Sequence, residues 1–132
     1  MAKLYPYIYC ENSREQAAFY AQALGGRIVG IQTFAEIPNV SDEMKDKVMH
    51  LVMQTSDLVL FMADSVSEPV KRGGGLDLGL EYKTEQEARQ VFEGLSQGGS
   101  VIMPFQKMFW GSMFGRLQDP YGVFWQIVTE PS

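Results

Sequence analysis

His50 is the one histidine of this 132-residue chain, and its imidazole is the side chain best suited to proton transfer near neutral pH. It could act as a general acid or base, or bind a ligand by hydrogen bonds. In the predicted strand 47–54 it shares one face with Val48 and Val52. The other face is also apolar, so we expect both faces to be covered. A structural role for His50 therefore stays open beside the functional ones.

Two carboxylates, Asp77 and Glu81, flank Gly79 on one side of a second predicted strand, 76–83. The other side is apolar and is expected to pack beneath a helix: Leu78, Leu80 and Tyr82. If the acidic side is concave, burial beside aromatic walls would make Glu81 a stronger base. The alternative is that Glu81 is a solvated residue at a sheet edge.

Aromatic side chains make a case for ligand binding without catalysis. Tyr5, Tyr7 and Tyr9 alternate onto one face of the predicted strand 4–10. Four more aromatic residues could complete a flat slot for a planar or apolar ligand: Phe109, Trp110, Phe114 and Phe124. The alternative is an ordinary core position, which we expect for Phe19, Phe92 and Trp125.

The elements that must position these residues occur twice along the chain. Both 13–16 and 84–87 follow the capping-box pattern, in which Ser13 or Thr84 caps the first turn of a helix. At this offset of 71 positions, four apolar positions of one helix face coincide: Ala17 with Ala88, Tyr20 with Val91, Ala21 with Phe92, and Leu24 with Leu95. The pattern predicts helices over about 13–24 and 84–97, each followed by a Gly-Gly pair.

Short β-rich runs surround each predicted helix. They are 4–10, 26–36, 47–54 and 58–63 in the first half, and 76–83, 100–105, 112–118 and 123–129 in the second. The last two are joined by 119–122, Asp-Pro-Tyr-Gly, which is typical of a type I turn. The order predicts an α+β fold of two tandem β-α-β-β-β modules with mostly antiparallel strands. We expect a single domain, with modules at about 1–65 and 76–132 and a linker at about 66–75.

The composition excludes several classes of protein. With 45% apolar and 20% charged residues, the chain is typical of a soluble globular protein. Its net charge of −5 argues against nucleic-acid binding, which needs a basic surface. We find no signal-peptide pattern and no apolar run of membrane-spanning length, so we expect a cytoplasmic protein without a membrane partner. The single cysteine, Cys10, is expected to be a small core residue.

Several local motifs resemble those of a known superfamily. They are Pro6-Tyr7-Ile8 followed by 15–20, His50 in the third strand, Phe109-Trp110-Gly111, and 119–125 near the end. Together with the duplicated module, they resemble the vicinal oxygen chelate superfamily of glyoxalases, bleomycin-binding proteins and dioxygenases. Within this superfamily, the local motifs resemble those of the PhnB-like branch. The resemblance implies a half-open barrel with the ligand on its concave face, a homodimer and, in many members, a divalent metal ion.

The positions that the resemblance implies for metal ligands are Tyr5, Asp77 and Gln126, none of which is histidine or glutamate. A single histidine cannot supply the two-histidine, one-carboxylate iron site of an extradiol dioxygenase. Asp77, Glu81 and Gln126 remain as weak candidates for a hard, oxygen-preferring cation. No cofactor is therefore certain, although a divalent ion stays open.

We expect a small-molecule-binding protein whose pocket is framed by Tyr7, His50, Glu81, Trp110 and Gln126. The alternative is a metal-dependent lyase or isomerase of glyoxalase type. In that enzyme a divalent ion would polarise substrate oxygens, and Glu81 or His50 would move a proton. A third hypothesis is a resistance protein that sequesters a drug at a dimer groove.

Overall fold

The computed structural model describes residues 1–131, and the chain divides into two compact units, Met1–Lys71 and Arg72–Ser132. The first unit contains β1 (Tyr7–Cys10), α1 (Ser13–Leu24), β2 (Arg27–Thr33), a short 3-10 helix (Phe34–Glu36), β3 (Val48–Gln54) and β4 (Val59–Asp64). The second contains β5 (Leu78–Tyr82), α2 (Glu85–Ser96), β6 (Ser100–Lys107), β7 (Met113–Gln118) and β8 (Phe124–Thr129).

Each unit is built on one four-stranded sheet. The strand order is β1-β4-β3-β2 in the first unit and β5-β8-β7-β6 in the second. The first strand of each sheet runs parallel to its neighbour, and the other two pairs are antiparallel. Within the described residues, the outer strands of a sheet do not pair with each other, so neither sheet closes on itself. The predicted α+β fold of two tandem, mostly antiparallel β-α-β-β-β modules is confirmed.

The N-terminal cap of α1 differs from the expected one. Asn12, not Ser13, caps this helix, and its side-chain oxygen accepts a hydrogen bond from the Glu15 amide at 3.1 Å. Ser13 is instead the buried first residue of the helix, and Gln16 donates to the hydroxyl of Tyr20 at 2.8 Å. The predicted capping box at 13–16 is therefore wrong. Asn competes well with Ser for this position, so the sequence pattern alone does not choose between them.

The cap of α2 is the one that the sequence predicts. The Thr84 hydroxyl accepts from the Glu87 amide at 3.2 Å, and the helix begins at Glu85. Because Asn12 rather than Ser13 corresponds to Thr84, the two helices lie one position further apart than the predicted repeat of 71.

The Gly-Gly pairs serve the same two purposes in both units. Gly25 and Gly98 have positive φ angles of 73° and 74°, a conformation that favours glycine after a helix. Gly26 approaches a neighbouring strand so closely that a Cβ atom would lie 2.6 Å from the Gln54 carbonyl oxygen. A Cβ atom on Gly99 would collide with the carbonyl oxygen of Gln118. The second glycine of each pair therefore lets the chain enter the sheet beside another backbone.

One face of each sheet packs against the helix of its own unit and forms the core. In the first unit the buried side chains include Cys10, Tyr20, Leu51, Met53 and Met62. In the second they include Phe92, Leu95, Leu117, Trp125 and Ile127. The expected core positions of Cys10, Phe92 and Trp125 are confirmed, whereas Phe19 is only half-buried. Neither helix within residues 1–131 is long and apolar enough to cross a membrane.

The turn at 119–122 is closed by a buried carboxylate. The Gly122 amide donates to the Asp119 carbonyl at 3.0 Å, which confirms the predicted turn. Asp119 Oδ1 accepts from the Tyr121 and Val123 amides at 2.8 and 3.1 Å. Its Oδ2 accepts from the indole of Trp125 at 2.9 Å. This carboxylate therefore ties the turn to the largest core side chain of the second unit.

Candidate functional site

The open face of the first sheet carries a tyrosine cluster, which we define as Tyr5, Tyr7, Tyr9, His50 and Phe61. The Tyr7 hydroxyl lies 3.0 Å from Nδ1 of His50. The His50 ring is centred 5.1 Å from that of Phe61, and the Tyr5 ring is centred 4.7 Å from Phe61. Tyr7 and Tyr9 keep 44% and 57% of their surface exposed, so a molecule from solvent can reach the cluster.

Strand pairing explains why these residues meet. Tyr7 on β1 lies opposite Phe61 on β4, and Phe61 lies opposite Val52 on β3. Paired residues point to the same face of a sheet, so His50, two positions from Val52, joins the same aromatic surface. The pairing of β2 with β3 skips Met49.

This irregularity corrects the expected face of His50. Val48 is fully buried, whereas His50 is only half-buried, so the predicted sharing of one face by these two residues is wrong. A one-residue bulge moves the side chains on its two sides out of strict alternation, and the local sequence pattern does not reveal it.

The chemistry of the cluster follows from its hydrogen bond. Partial burial raises the pKa of Tyr7 above its usual value, and the neighbouring Tyr9 raises it further. Tyr7 therefore keeps its proton at neutral pH. When its hydroxyl donates to Nδ1 of a neutral His50, the ring carries its own proton on Nε2. The pair can then hydrogen-bond a ligand and can relay a proton.

The second unit holds a depression of about 420 Å³ on the open face of its sheet, which we call the polar depression. Its lining consists of Gly75, Asp77, Gly79, Arg116 and Gln126. Gly79 on β5 and Arg116 on β7 both lie opposite Gln126 on β8. Three neighbouring strands thus bring these residues into one row.

Asp77 is the hub of the polar contacts in the depression. Nε of Arg116 donates to Asp77 Oδ2 at 2.6 Å, and Nη2 donates to Oδ1 at 3.0 Å. Nε2 of Gln126 also donates to Oδ2, at 3.0 Å. The Arg116 guanidinium lies over the Phe124 ring, 4.8 Å from its centroid. The guanidinium is thus held by a two-bond ion pair and by an aromatic face.

Both members of the ion pair are charged at neutral pH. Hydrogen bonds from Arg116 hold the pKa of Asp77 below its usual value, with a further contribution from Gln126, although partial burial acts in the opposite direction. The same hydrogen bonds raise the pKa of Arg116. Only 13% of the Asp77 side chain and 31% of the Arg116 side chain are exposed.

Other predicted site residues lie outside the polar depression. Glu81 is exposed, lies opposite Val128 and does not line the depression. Phe109 is 96% exposed and packs edge-on against Trp110, with ring centroids 4.8 Å apart. The Trp110 ring in turn lies 6.3 Å from that of Phe114. Of the predicted set in this unit, the depression thus brings together Asp77 and Gln126, with Phe124 beside them.

Arg116 is the site residue that the sequence analysis missed. A signal for it exists, because the turn at 119–122 sets the register of the last two strands. With that register, Arg116 pairs with Gln126 and must share its face.

The candidate metal ligands are poorly arranged to bind a metal ion. Among residues 1–131, no group of three or more His, Cys, Asp or Glu side chains lies close enough to hold a metal ion. Both carboxylate oxygens of Asp77 already accept hydrogen bonds from Arg116. A divalent cation at Asp77 would face repulsion from this guanidinium. The weak candidates Asp77, Glu81 and Gln126 therefore stay predictions, with an unfavourable arrangement around Asp77.

Comparison with known proteins identifies the superfamily to which the chain belongs. Residues 5–127 match the model of the Glyoxalase/Bleomycin resistance protein/Dioxygenase superfamily, and the chain belongs to this superfamily. The predicted family resemblance is thus confirmed.

Three similar proteins cover nearly the whole length of this chain. Protein PA1353 from Pseudomonas aeruginosa is 32% identical, with a TM-score of 0.84 and 98% of both chains covered. The PhnB protein from Bacillus cereus is 26% identical, with a TM-score of 0.79 over 98% of this chain and 100% of that one. Protein YjdN from Escherichia coli K12 is 24% identical over 94% of this chain and 92% of its own length. The predicted PhnB-like character is supported by the likeness to the Bacillus cereus PhnB protein.

Proposed function

We propose that this protein binds a small organic molecule in the polar depression of its second unit. The observation that carries the proposal is the convergence of Asp77, Arg116 and Gln126 in a hollow of about 420 Å³. A volume of this order suits a small ligand, and a few fixed polar groups are what such sites use to orient one.

The hydrogen-bonding groups are held in place before a ligand arrives. The ion pair and the Phe124 ring fix the plane of the Arg116 guanidinium. The bonds to Asp77 use one edge of that group and leave further N–H groups for a ligand. A site whose donors are already oriented loses less conformational entropy on binding.

Two glycines keep the depression open. Gly75 and Gly79 contribute no side chains to the lining, and a Cβ atom at Gly79 would meet nothing within 4 Å. A larger side chain at Gly79 would therefore fill the hollow without colliding with the protein around its first atom.

The tyrosine cluster supports the same class of function in the first unit. The exposed rings of Tyr7 and Tyr9, which are in tilted contact next to the Tyr7–His50 hydrogen bond, suit a planar ligand. We keep Tyr7, His50 and Trp110 as proposed contributors to ligand binding. We also propose that the protein is a homodimer. Its molecular mass in solution, measured by light scattering, tests this.

The test uses a matched pair of glycine substitutions. Gly79→Leu places a side chain in the depression, and Gly30→Leu places one on an exposed strand glycine of the first unit that also has nothing within 4 Å. A library of small aromatic and polar metabolites is screened against the wild type, and affinities of hits are measured by calorimetry or NMR titration.

We expect hits whose affinity falls about tenfold or more in Gly79→Leu and is retained in Gly30→Leu. A second outcome is that ligands bind Gly79→Leu as tightly as the wild type but no longer bind Tyr7→Ala. That result would show that they bind at the tyrosine cluster and would contradict the proposed site in the depression. A library without any hit would reject the proposal for the compounds' chemical classes.

A further inference from the structure

We propose that Arg116 is the resident cation of the polar depression and recognises a ligand through two adjacent oxygen acceptors, as in a small aromatic carboxylate. This inference rests on the proposed function and adds the chemistry that the site selects. It begins from Asp77 and Gln126, two of the three candidate metal ligands, which both hydrogen-bond within a network that contains a guanidinium.

The first step is the geometry of the guanidinium. Asp77 occupies the edge formed by Nε and Nη2 of Arg116. A guanidinium has a second edge, formed by Nη1 and the other N–H of Nη2, and this edge also fits two adjacent oxygen atoms. Asp77 can thus hold Arg116 in place while the second edge binds a ligand.

The second step is charge. Asp77 is the one carboxylate among the five residues that line the depression, and Arg116 is the one cation. A divalent ion at Asp77 would have to displace the guanidinium, because both of its carboxylate oxygens are bonded to it. A ligand carboxylate needs no such displacement, and charge-assisted hydrogen bonds to a guanidinium are among the stronger ones in proteins.

The third step is the shape around the charged groups. The Phe124 ring lies against Arg116, and the bare backbone of Gly79 leaves open space in the same hollow. A flat ring attached to the carboxylate would therefore find both an apolar neighbour and room. Benzoate is the simplest probe with these features, and benzamide is its uncharged counterpart.

The experiment compares Arg116→Gln with Arg89→Gln. Arg89 also pairs with a carboxylate, Glu85, and also lies over a ring, that of Phe105 at 5.1 Å, but it is not part of the depression's lining. Benzoate and benzamide affinities are measured by NMR titration, and Mn²⁺ and Ni²⁺ uptake by metal analysis after dialysis. Circular dichroism confirms that each variant is folded.

We expect the wild type and Arg89→Gln to bind benzoate more tightly than benzamide and to retain no stoichiometric metal. Arg116→Gln should lose about tenfold or more in benzoate affinity. Arg116→Lys keeps the charge but lacks the pair of N–H donors on one edge, so its benzoate affinity should lie between those of the wild type and Arg116→Gln.

Three results would overturn the inference. They are equal benzoate affinity in the wild type and Arg116→Gln, no benzoate binding by the wild type at millimolar concentration, and stoichiometric metal that Asp77→Asn removes. A different result distinguishes this inference from the proposed function. If Gly79→Leu weakens ligand binding and Arg116→Gln does not, the depression is still the binding site and only the role of Arg116 is rejected.

Discussion

The hydroxyl of Tyr7 and Nδ1 of His50 lie 3.0 Å apart, although 43 positions separate the two residues along the chain. Parallel pairing of β1 with β4 and antiparallel pairing of β4 with β3 bring them onto one face. The single histidine is therefore linked to a tyrosine that solvent can reach. This relationship makes the tyrosine cluster the second surface at which ligand binding should be tested.

Tyr7 should make the protein less stable as the pH rises into the alkaline range. Its pKa is raised in the fold, so the stability linked to this group is fully present below the pKa of an unfolded tyrosine, about 10. That contribution is lost as the pH rises through the folded pKa, since the unfolded chain releases its proton first. Chemical denaturation of the wild type and Tyr7→Phe at several pH values from about 9 upward measures this loss.

We expect a shallower alkaline decline in Tyr7→Phe than in the wild type. Tyr5→Phe, from the same segment, is the control for loss of a tyrosine hydroxyl. Identical slopes for Tyr7→Phe and the wild type would contradict the assignment.

Asp77 should produce the opposite dependence at acid pH. Its pKa is lowered in the fold by Arg116, so its contribution is present above the pKa of an unfolded aspartate, about 3.9. The contribution disappears as the pH falls through the folded pKa, because the carboxylate must then be protonated and loses its charge for the ion pair.

Asp77→Asn should flatten the loss of stability below about pH 4, measured by denaturant titration. Asp42→Asn serves as the control, since the Asp42 side chain is 93% exposed and pairs with Lys45, three positions later. A surface pair of this kind contributes little to stability. An acid profile of Asp77→Asn that matches the wild type would show that the ion pair is not maintained in solution.

Removal of the Asp119 carboxylate should strongly destabilise the protein. Asp119→Ala leaves two half-buried backbone amides and the buried Trp125 indole without their acceptor. We expect a loss of about 3 kcal/mol in the free energy of unfolding, given the cost of buried donors that lose a charged partner. Urea denaturation followed by tryptophan fluorescence measures it.

Asp57→Ala is the comparison, because Asp57 lies in the turn between β3 and β4 and is exposed. A surface substitution of this kind should change the free energy of unfolding by about 0.5 kcal/mol or less. Equal effects of the two substitutions would contradict a special role for Asp119.

Gly99→Ala should destabilise the protein where Gly79→Ala does not. A Cβ atom at Gly99 would collide with the Gln118 carbonyl oxygen, whereas at Gly79 it would meet nothing within 4 Å. We expect a loss of more than about 1 kcal/mol for Gly99→Ala and a change within about 1 kcal/mol for Gly79→Ala. Thermal or urea unfolding distinguishes them, and similar stabilities of the two variants would refute the close approach.

Local patterns predicted most of the architecture. The 3.6-residue spacing of apolar positions gave α1 at its observed bounds, and all eight strands lie within or near the predicted runs. The turn at 119–122 and the burial of Cys10 and Trp125 are likewise as expected. These features depend on residues close together in the chain, where periodicity and turn chemistry act directly.

The exceptions arise where a distant contact competes with a local one. Ser13 could have capped α1, but its backbone amide donates to the buried carboxylate of Asp64 at 2.8 Å. Asn12 is left to cap the helix. The second oxygen of Asp64 accepts from the Val48 amide, beside the irregular pairing at Met49.

The sequence by itself determined the family, the two modules and the faces on which Asp77 and Gln126 lie. Only the tertiary structure decided that Arg116 would bond to Asp77 and that Tyr7 would bond to His50. Each of these contacts joins segments that are far apart in the chain. Their register is set by the packing of a whole sheet against its helix, and a shift of one residue would turn each side chain to the opposite face.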